Sequence, residues 1–238
     1  MKKSTKFIVI SLITFCVSTI YAQNSEETRN VSNFKGIRIS SGIDLYIKQG
    51  SVESVRIVGD KDKLEKVKTE KDGDILKIYA GNSKGWFNFD FDWSNKKPIK
   101  AYVTVKNLNT IAATGGSDVF SEGKLDLIKL DIKATGGSDV KLDLDADELT
   151  CETTGGSDVT LSGTATVFKA SATGGSDLKA KNLRSNFCSV SSTGGSDAHV
   201  WAEKEISISA TGGSDVYHKG GARVVQSNSS GGSDVHKQ

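Results

Sequence analysis

The chain has 238 residues and carries 31 basic and 29 acidic side chains, a formal net charge of +2 at pH 7. A charge balance so close to neutral argues against a basic surface for nucleic acid. The length is sufficient for one sizeable domain.

Residues 1–22 have the pattern of a secretory signal peptide. Three lysines precede the apolar run Phe7–Ile20, and the small residue Ala22 suits cleavage. The run is short for a membrane span, so membrane contact is expected only through this segment before its removal. Three of the 31 basic residues lie in it, so the remaining chain carries 28 basic and 29 acidic residues. The sequence therefore predicts an exported protein located in the periplasm, on the outer surface or in the medium.

Residues 23–30 are polar, and we expect them to be disordered. Within the signal-like segment, Cys16 would suit a lipoprotein signal, but Phe15 just before it is too bulky for the usual recognition sequence of such signals.

Residues 31–112 contain strand-like apolar positions but no regular repeat. The segment Ser41–Asp44 is similar to the Gly-Gly-Ser-Asp phrase that recurs later, and Asp72-Gly73-Asp74 is typical of a hairpin turn. Asp44 precedes the first later copy, which ends at Asp118, by 74 residues. This distance leaves room for about four coils of the later period.

An aromatic segment interrupts this region at residues 81–97. If the segment is extended, alternate side chains share one face. It contains five large aromatic residues: Trp86, Phe87, Phe89, Phe91 and Trp93. One interpretation is a structural cover over apolar surface, and the other is a platform for a sugar or a partner protein.

Residues 113–238 are built on a repeat. Gly-Gly-Ser-Asp occurs seven times, and successive aspartates are 21, 19, 19, 20, 18 and 19 positions apart. Apolar residues recur nine and seven positions before the aspartate and one position after it, except for Asn109 in the first copy and Ser227 in the last. Small residues occupy the position five before. This alternation predicts strands with one buried face, joined by a tight Gly-Gly corner and a second, variable corner.

Because each column keeps its size class from copy to copy, in-register stacking is favoured over a stack of hairpins. We therefore predict an all-β fold, a single-stranded right-handed parallel β-helix (solenoid) with coils of about 19 residues. Residues 31–238 would form one domain, with irregular coils over 31–112 and regular ones over 113–238.

Stacking would bring the seven corner aspartates into one row: Asp118, Asp139, Asp158, Asp177, Asp197, Asp215 and Asp234. Their mutual repulsion has to be offset by turn N–H groups or by a cation. We expect the hydrogen bonds to suffice, with no metal and no cofactor, although a Ca²⁺ row remains an alternative.

The two cysteines after the signal segment, Cys151 and Cys188, fall in different columns two coils apart. Two coils separate them by roughly 10 Å, whereas a disulfide requires Cα atoms closer than about 7 Å. We predict two buried free thiols.

The chain resembles the bacterial head GIN domain family of auto-transporter adhesins over roughly residues 31–236. The resemblance lies in Phe34–Ile37, Ser41–Leu45, Asp72–Ile78 and the lead-in Val103–Ile111 to the first corner. It implies a right-handed, pectin-lyase-like β-helix and a role at the cell surface. It implies no catalytic set.

We therefore expect a non-catalytic secreted or cell-envelope protein that binds a cell-surface glycan or a protein partner. A structural or stress-related envelope protein without a specific ligand is an alternative. A polysaccharide-active enzyme is another, but repetition of the aspartate in every coil favours architecture over catalysis. The sequence does not indicate an oligomeric state.

Overall fold

The computed structural model describes residues 25–81 and 98–238, which are almost entirely β-strand. The N-terminal strands are β1 (Ser25–Arg29), β2 (Gly36–Ile39), β3 (Asp44–Gln49), β4 (Ser54–Gly59), β5 (Val67–Asp72), β6 (Ile75–Ala80), β7 (Lys100–Val105) and β8 (Thr110–Thr114). They are followed by β9 (Val119–Thr135), β10 (Val140–Thr154), β11 (Val159–Thr173), β12 (Leu178–Gly194), β13 (Ala198–Gly212), β14 (Val216–Lys219), β15 (Arg223–Gly231) and β16 (Val235–Lys237). One short helix, α1 (Lys61–Leu64), follows β4. Within the described ranges, no helix is long and apolar enough to span a membrane.

The repeat region forms coils that stack in parallel. β9 to β13 pair with one another in sequence order, and Val140 lies beside Val159 just as Cys151 lies beside Ala170. Each of these strands runs from one Gly-Gly-Ser-Asp corner, around the second corner, to the next copy. The result is a parallel β-solenoid of about 7 turns with a spacing of ~19 residues, which confirms the fold class predicted from the repeat.

The core is made of the inward columns of the repeat. The column nine residues before the aspartate, for example, contains Leu130, Leu149, Phe168, Cys188 and Ile206, all of them buried. In the column of small residues, Thr153 and Ser192 are also fully buried, and each hydroxyl donates to the carbonyl oxygen of the corner serine four residues later at 2.6 Å. The small-residue column therefore holds the corner to the strand that precedes it.

Both cysteines are free and buried, as predicted. Cys151 is paired with Ile132 and Ala170, whereas Cys188 is paired with Phe168 and Ile206. Burial raises the pKa of each thiol to about 12, so both behave as small apolar side chains.

The region before the repeat differs from the prediction of about four intervening coils. The coil made of β2 and β3 stacks directly on the coil made of β8 and β9, with Ile37 beside Ile111 and Leu45 beside Val119. Ser41 and Gly42 do form a corner with positive φ, and the Gly42 N–H donates to the Gly115 carbonyl at 3.0 Å. The corner was thus correctly recognised, but the chain between the two coils lies outside them.

That intervening chain builds the N-terminal end of the solenoid. β6 and β7 add one further parallel layer on β2 and β3. β5 then pairs antiparallel with β6 through the turn at Gly73, and β4 pairs antiparallel with β7. The region is therefore a short stack closed by antiparallel strands rather than a run of irregular coils.

The prediction of disorder over residues 23–30 is wrong for Ser25–Arg29. These residues form β1, which pairs antiparallel with β4. The Glu26 carboxylate accepts a hydrogen bond from Arg56 at 2.9 Å. A polar composition did not indicate the strand, because its stability comes from the backbone hydrogen bonds offered by the edge of β4.

Candidate functional site

The Gly-Gly-Ser-Asp corners position the candidate site. Both glycines of the first corner, Gly115 and Gly116, have positive φ (63° and 70°), which admits a tight reversal of the chain. The serine that follows points inward and is fully buried in the first six copies. In the second and third copies its Oγ accepts the backbone N–H of the preceding copy's serine. The Ser117 N–H donates to Ser138 Oγ at 3.1 Å, and the Ser138 N–H donates to Ser157 Oγ at 3.0 Å.

The predicted row of aspartates, called here the carboxylate row, is present on the outside of the corners. Five of the six neighbouring pairs are joined by a hydrogen bond in which the backbone N–H of one aspartate donates to Oδ1 of the previous one. The distances are 3.1 Å for Asp139 to Asp118, 3.3 Å for Asp158 to Asp139, 3.3 Å for Asp177 to Asp158, 3.2 Å for Asp215 to Asp197 and 3.0 Å for Asp234 to Asp215. The backbone of the next coil therefore offsets the repulsion between the carboxylates.

The carboxylate row also extends beyond the repeat, where the sequence analysis did not follow it. Asp44 precedes Asp118 in the row, and Lys100 is paired with Asp44 in the layer beyond. Burial raises the pKa of Asp44, with a further contribution from the Asp118 charge, and Lys100 opposes it. Burial also raises the pKa of Asp118, while the hydrogen bond from the Asp139 backbone lowers it.

At one place in the carboxylate row, a lysine ammonium offsets the repulsion between two neighbouring carboxylates. The Lys179 ammonium lies 2.6 Å from Oδ2 of Asp158 and 3.3 Å from Oδ2 of Asp177, bridging the two carboxylates. The side-chain hydrogen bond to Asp158 is the main cause that raises the pKa of Lys179. A cation thus bridges two adjacent members of the row.

Lys179 belongs to an outward column formed by the second residue after each corner aspartate, called here the outer column. At one end, Tyr46 stacks between Tyr102 and Phe120, with ring centroids 5.0 and 5.3 Å away. At the other end, Tyr217 stacks between His199 and His236, at 4.5 and 4.8 Å. The aspartate alignment contained this column, but stacking became evident only once neighbouring coils were placed together.

The second corner forms a surface groove of about 540 Å³ that crosses four coils. Its floor contains the buried small residues Ala146 and Ala165. One wall is formed by Asp126, Asp145, Thr164 and Arg184, and the other by Ile128, Asp147, Thr166 and Asn186. We call these the inner wall and the outer wall.

The inner wall is held by its own hydrogen bonds. Oδ1 of Asp145 accepts from the Thr164 hydroxyl at 2.7 Å and from Lys124 at 3.2 Å. Arg184 Nε donates to Glu203 at 2.7 Å. The Thr164 hydroxyl is the largest cause that lowers the pKa of Asp145, so this carboxylate stays ionised.

The outer wall has polar groups without partners inside the protein. In the described chain, the side chains of Asp147, Thr166 and Asn186 make no hydrogen bond or ion pair. A carboxylate, a hydroxyl and an amide are therefore available along one side of a groove whose other side is fixed. The sequence analysis did not identify this groove, because the second corner varies in length and carries no repeated motif.

The predicted aromatic site, Trp86, Phe87, Phe89, Phe91 and Trp93, lies outside the described residues. The strands that flank it in sequence are described. β6 and β7, which it connects, pair with β2 and β3, and those two strands are joined by the corner at Ser41 and Gly42. The Ser41 hydroxyl donates to the Ala80 carbonyl at 3.2 Å, and the Asp44 N–H donates to the Ile99 carbonyl at 2.9 Å. The strands on either side of the aromatic segment therefore belong to the layer that stacks on the coil of Asp44.

The family model described as "Putative auto-transporter adhesin, head GIN domain" matches residues 33–222. The chain belongs to this family. The match begins near Phe34 and ends just before the last coil, so it includes the N-terminal layers, the groove and six of the seven repeat corners. A search of curated protein sequences found no match.

Solved structures of proteins described as putative adhesins and as a putative lipid binding protein share the fold. A putative adhesin from Bacteroides fragilis is 24% identical with a TM-score of 0.82, over 92% of this chain and 98% of that one. A putative adhesin from Parabacteroides merdae is 18% identical with a TM-score of 0.71, over 91% and 96%. A protein from Parabacteroides distasonis described as a putative lipid binding protein is 16% identical with a TM-score of 0.69, over 90% and 96%. At these identities the likeness concerns the fold.

Proposed function

We propose that the protein is a non-catalytic, exported adhesin that binds a cell-surface glycan or a protein partner through exposed polar side chains on its solenoid. The family description and the names of structurally similar proteins support adhesion and a location at the cell envelope. The signal-like segment at residues 1–22 supports export.

The observation that carries the proposal is the groove with its unpartnered outer wall. Glycans present rows of hydroxyl groups, which require donors and acceptors that are not already used within the protein. Asp147 and Thr166 are exposed and Asn186 is half-buried, and they come from three successive coils. Because adjacent coils lie about 4.8 Å apart, these groups can contact successive parts of one extended ligand.

The aromatic segment is the second part of the proposed binding surface. Large aromatic side chains are frequent anchors of binding sites, because they bury much area at low entropic cost. Its five aromatic residues lie in sequence between β6 and β7, the strands of the layer that stacks on β2 and β3.

The test is a glycan-array and bacterial or host-cell binding assay with the chain lacking residues 1–22. Asp147→Ala/Thr166→Ala/Asn186→Ala should lower binding at least tenfold, since all three groups are lost from one wall while the core is untouched. A matched control, Lys141→Ala/Thr160→Ala, removes two polar side chains of the outer column and should bind as the original protein does.

A second variant replaces residues 81–97 with a short Gly-Ser linker, and should also bind less while far-ultraviolet circular dichroism stays β-rich. If the original chain retains no glycan, cell or protein ligand, the proposed function is wrong and a structural envelope role is favoured. Turnover of a polysaccharide by the purified chain would instead revive the enzymatic alternative. Aggregation of the linker variant would show that the aromatic segment is a structural cover.

A further inference from the structure

The last two coils bring three metal-ligating side chains together. One ligand atom each from Asp215, Asp234 and His236 lies within 4.8 Å of the other two. The two carboxylates are held side by side, because the Asp234 N–H donates to Oδ1 of Asp215 at 3.0 Å. We propose that these three residues bind a divalent transition-metal ion such as Zn²⁺, independently of the ligand groove.

The imidazole of this cluster is oriented by its neighbours. The His236 ring stacks on Tyr217 with a centroid distance of 4.8 Å and an interplanar angle of 18°. Pairing of Val216 with Val235 and of Tyr217 with His236 fixes the backbone on which the ring is mounted. A ring held in this way loses little freedom when it binds a metal, which favours binding.

Comparison with an earlier pair of coils shows that two members of the carboxylate row and the outer column together accommodate a cation. At Asp158 and Asp177 that cation is the Lys179 ammonium, which contacts both carboxylates. At Asp215 and Asp234 the outer column supplies His236 instead. In the described ranges, neither Asp215 nor Asp234 has a lysine or arginine within 4 Å. The same arrangement is thus present with an imidazole side chain in place of the lysine ammonium.

The donor set indicates the class of metal. Imidazole nitrogen is a typical ligand of Zn²⁺, Co²⁺ and Ni²⁺, whereas Ca²⁺ and Mg²⁺ prefer oxygen ligands alone. Two carboxylates and one imidazole leave at least one coordination position, and the exposure of Asp234 and His236 lets water or a ligand occupy it. Side-chain rotation has to bring the three ligand atoms closer, to bond lengths of about 2.0–2.2 Å from the metal.

The experiment is isothermal titration of the untagged chain, lacking residues 1–22, with Zn²⁺, together with visible absorption spectroscopy of the Co²⁺ form. We expect one ion per chain. His236→Ala and Asp234→Asn should each weaken binding at least tenfold and reduce the Co²⁺ d–d bands.

The matched control is His199→Ala. His199 also belongs to the outer column and stacks on Tyr217, but among the described residues it is not part of the three-ligand cluster, and the Lys179 ammonium already contacts Asp177 at 3.3 Å. This variant should bind Zn²⁺ like the original chain. Failure of the original chain to bind Zn²⁺ at millimolar concentration, equal binding by His236→Ala, or an equal loss in His199→Ala would each overturn the proposal. Circular dichroism of every variant verifies that the fold is retained.

Discussion

Asp118 and Asp145 both carry carboxylates on the solenoid surface, yet their environments shift the side-chain pKa in opposite directions. Burial raises the pKa of Asp118, so its folded form holds a proton more tightly than the unfolded chain does. The stability that comes from this protonation is present at low pH and is lost as the pH rises through the folded pKa. The Thr164 hydroxyl lowers the pKa of Asp145, whose contribution is present above the ordinary value of 3.8 and is lost as the pH falls through the folded pKa.

We predict that Asp118→Asn leaves the melting temperature at pH 7 unchanged or raises it. The amide cannot ionise, so it removes the cost of burying a charge and the repulsion from Asp139, while its oxygen still accepts the Asp139 N–H. The difference from the original chain should disappear as the pH falls through the folded pKa of Asp118, because the carboxyl group is then protonated.

The matched variant is Asp145→Asn, which should be less stable than the original chain at pH 7 by no more than about 1 kcal/mol. That difference should also shrink in acid. Thermal melts between pH 3 and pH 7 measure both. An equal loss of stability for the two variants at pH 7 would contradict the assignment of opposite environments.

Among the strands and corners, the second corner requires a glycine at one position. Gly163 has a φ of 109°, and a Cβ added there would lie 1.9 Å from the Leu144 carbonyl oxygen of the preceding coil. Gly123, in the second corner two coils earlier, has a φ of 90° and nothing within 4 Å of such a Cβ. A side chain at Gly123 would therefore meet only backbone strain, whereas a side chain at Gly163 would also collide with the neighbouring coil.

We predict that Gly163→Ala lowers the free energy of unfolding by roughly 3 kcal/mol or more, since the backbone of an adjacent coil has to shift. Gly123→Ala should cost only about 1–2 kcal/mol, the price of positive φ alone. Chemical denaturation of the two variants measures the difference. Equal losses would mean that the Gly163 corner can open without disturbing the stack.

The regular elements could be predicted from the sequence because each inward column contacts its own copies. Leu149 and Phe168 occupy the same column in the sequence alignment and the same column in the core. The strand β1 could not be predicted, because its polar residues pair with the edge of β4, from Ser25 beside Gly59 to Arg29 beside Val55. The unpartnered wall of the groove was missed for a related reason. Whether the side chain of Asp147 or Thr166 has a hydrogen-bond partner depends on residues of the neighbouring coils, and the sequence of a single repeat does not show them.

At the scale of the whole molecule, the N-terminal end of the stack is closed by strands that run antiparallel to it. β4 covers β7 and β5 covers β6, and β1 in turn covers β4. Such strands protect an edge whose backbone groups would otherwise pair with another chain. The number of residues between Asp44 and Asp118 does not predict this closure, because a segment of that length can form additional coils as well as an end layer.

We predict that deletion of residues 25–29 lowers the melting temperature and promotes association. Without β1, the outer edge of β4 loses its hydrogen-bonding partner. Val55 and Ile57, which are fully buried in the intact chain, then lie beside an open edge. The control Glu26→Ala removes only an exposed ion pair with Arg56 and should change stability by less than about 1 kcal/mol. Differential scanning calorimetry and light scattering measure both effects. A deletion variant that remains monomeric with an unchanged melting temperature would show that β1 does not protect the edge.

The direct stacking of the coil at Leu45 on the coil at Val119 has a consequence for the order in which the chain can fold during synthesis. A ribosome releases the N-terminus first, and domains form as their contacts become available. The pair of coils cannot close until residue 119 has emerged, although β2 and β3 can pair with β6 and β7 before then. From there on, each newly released segment of about 19 residues finds its neighbour already in place. Growth of the protein thus begins with one slow, long-range closure and continues by fast local addition.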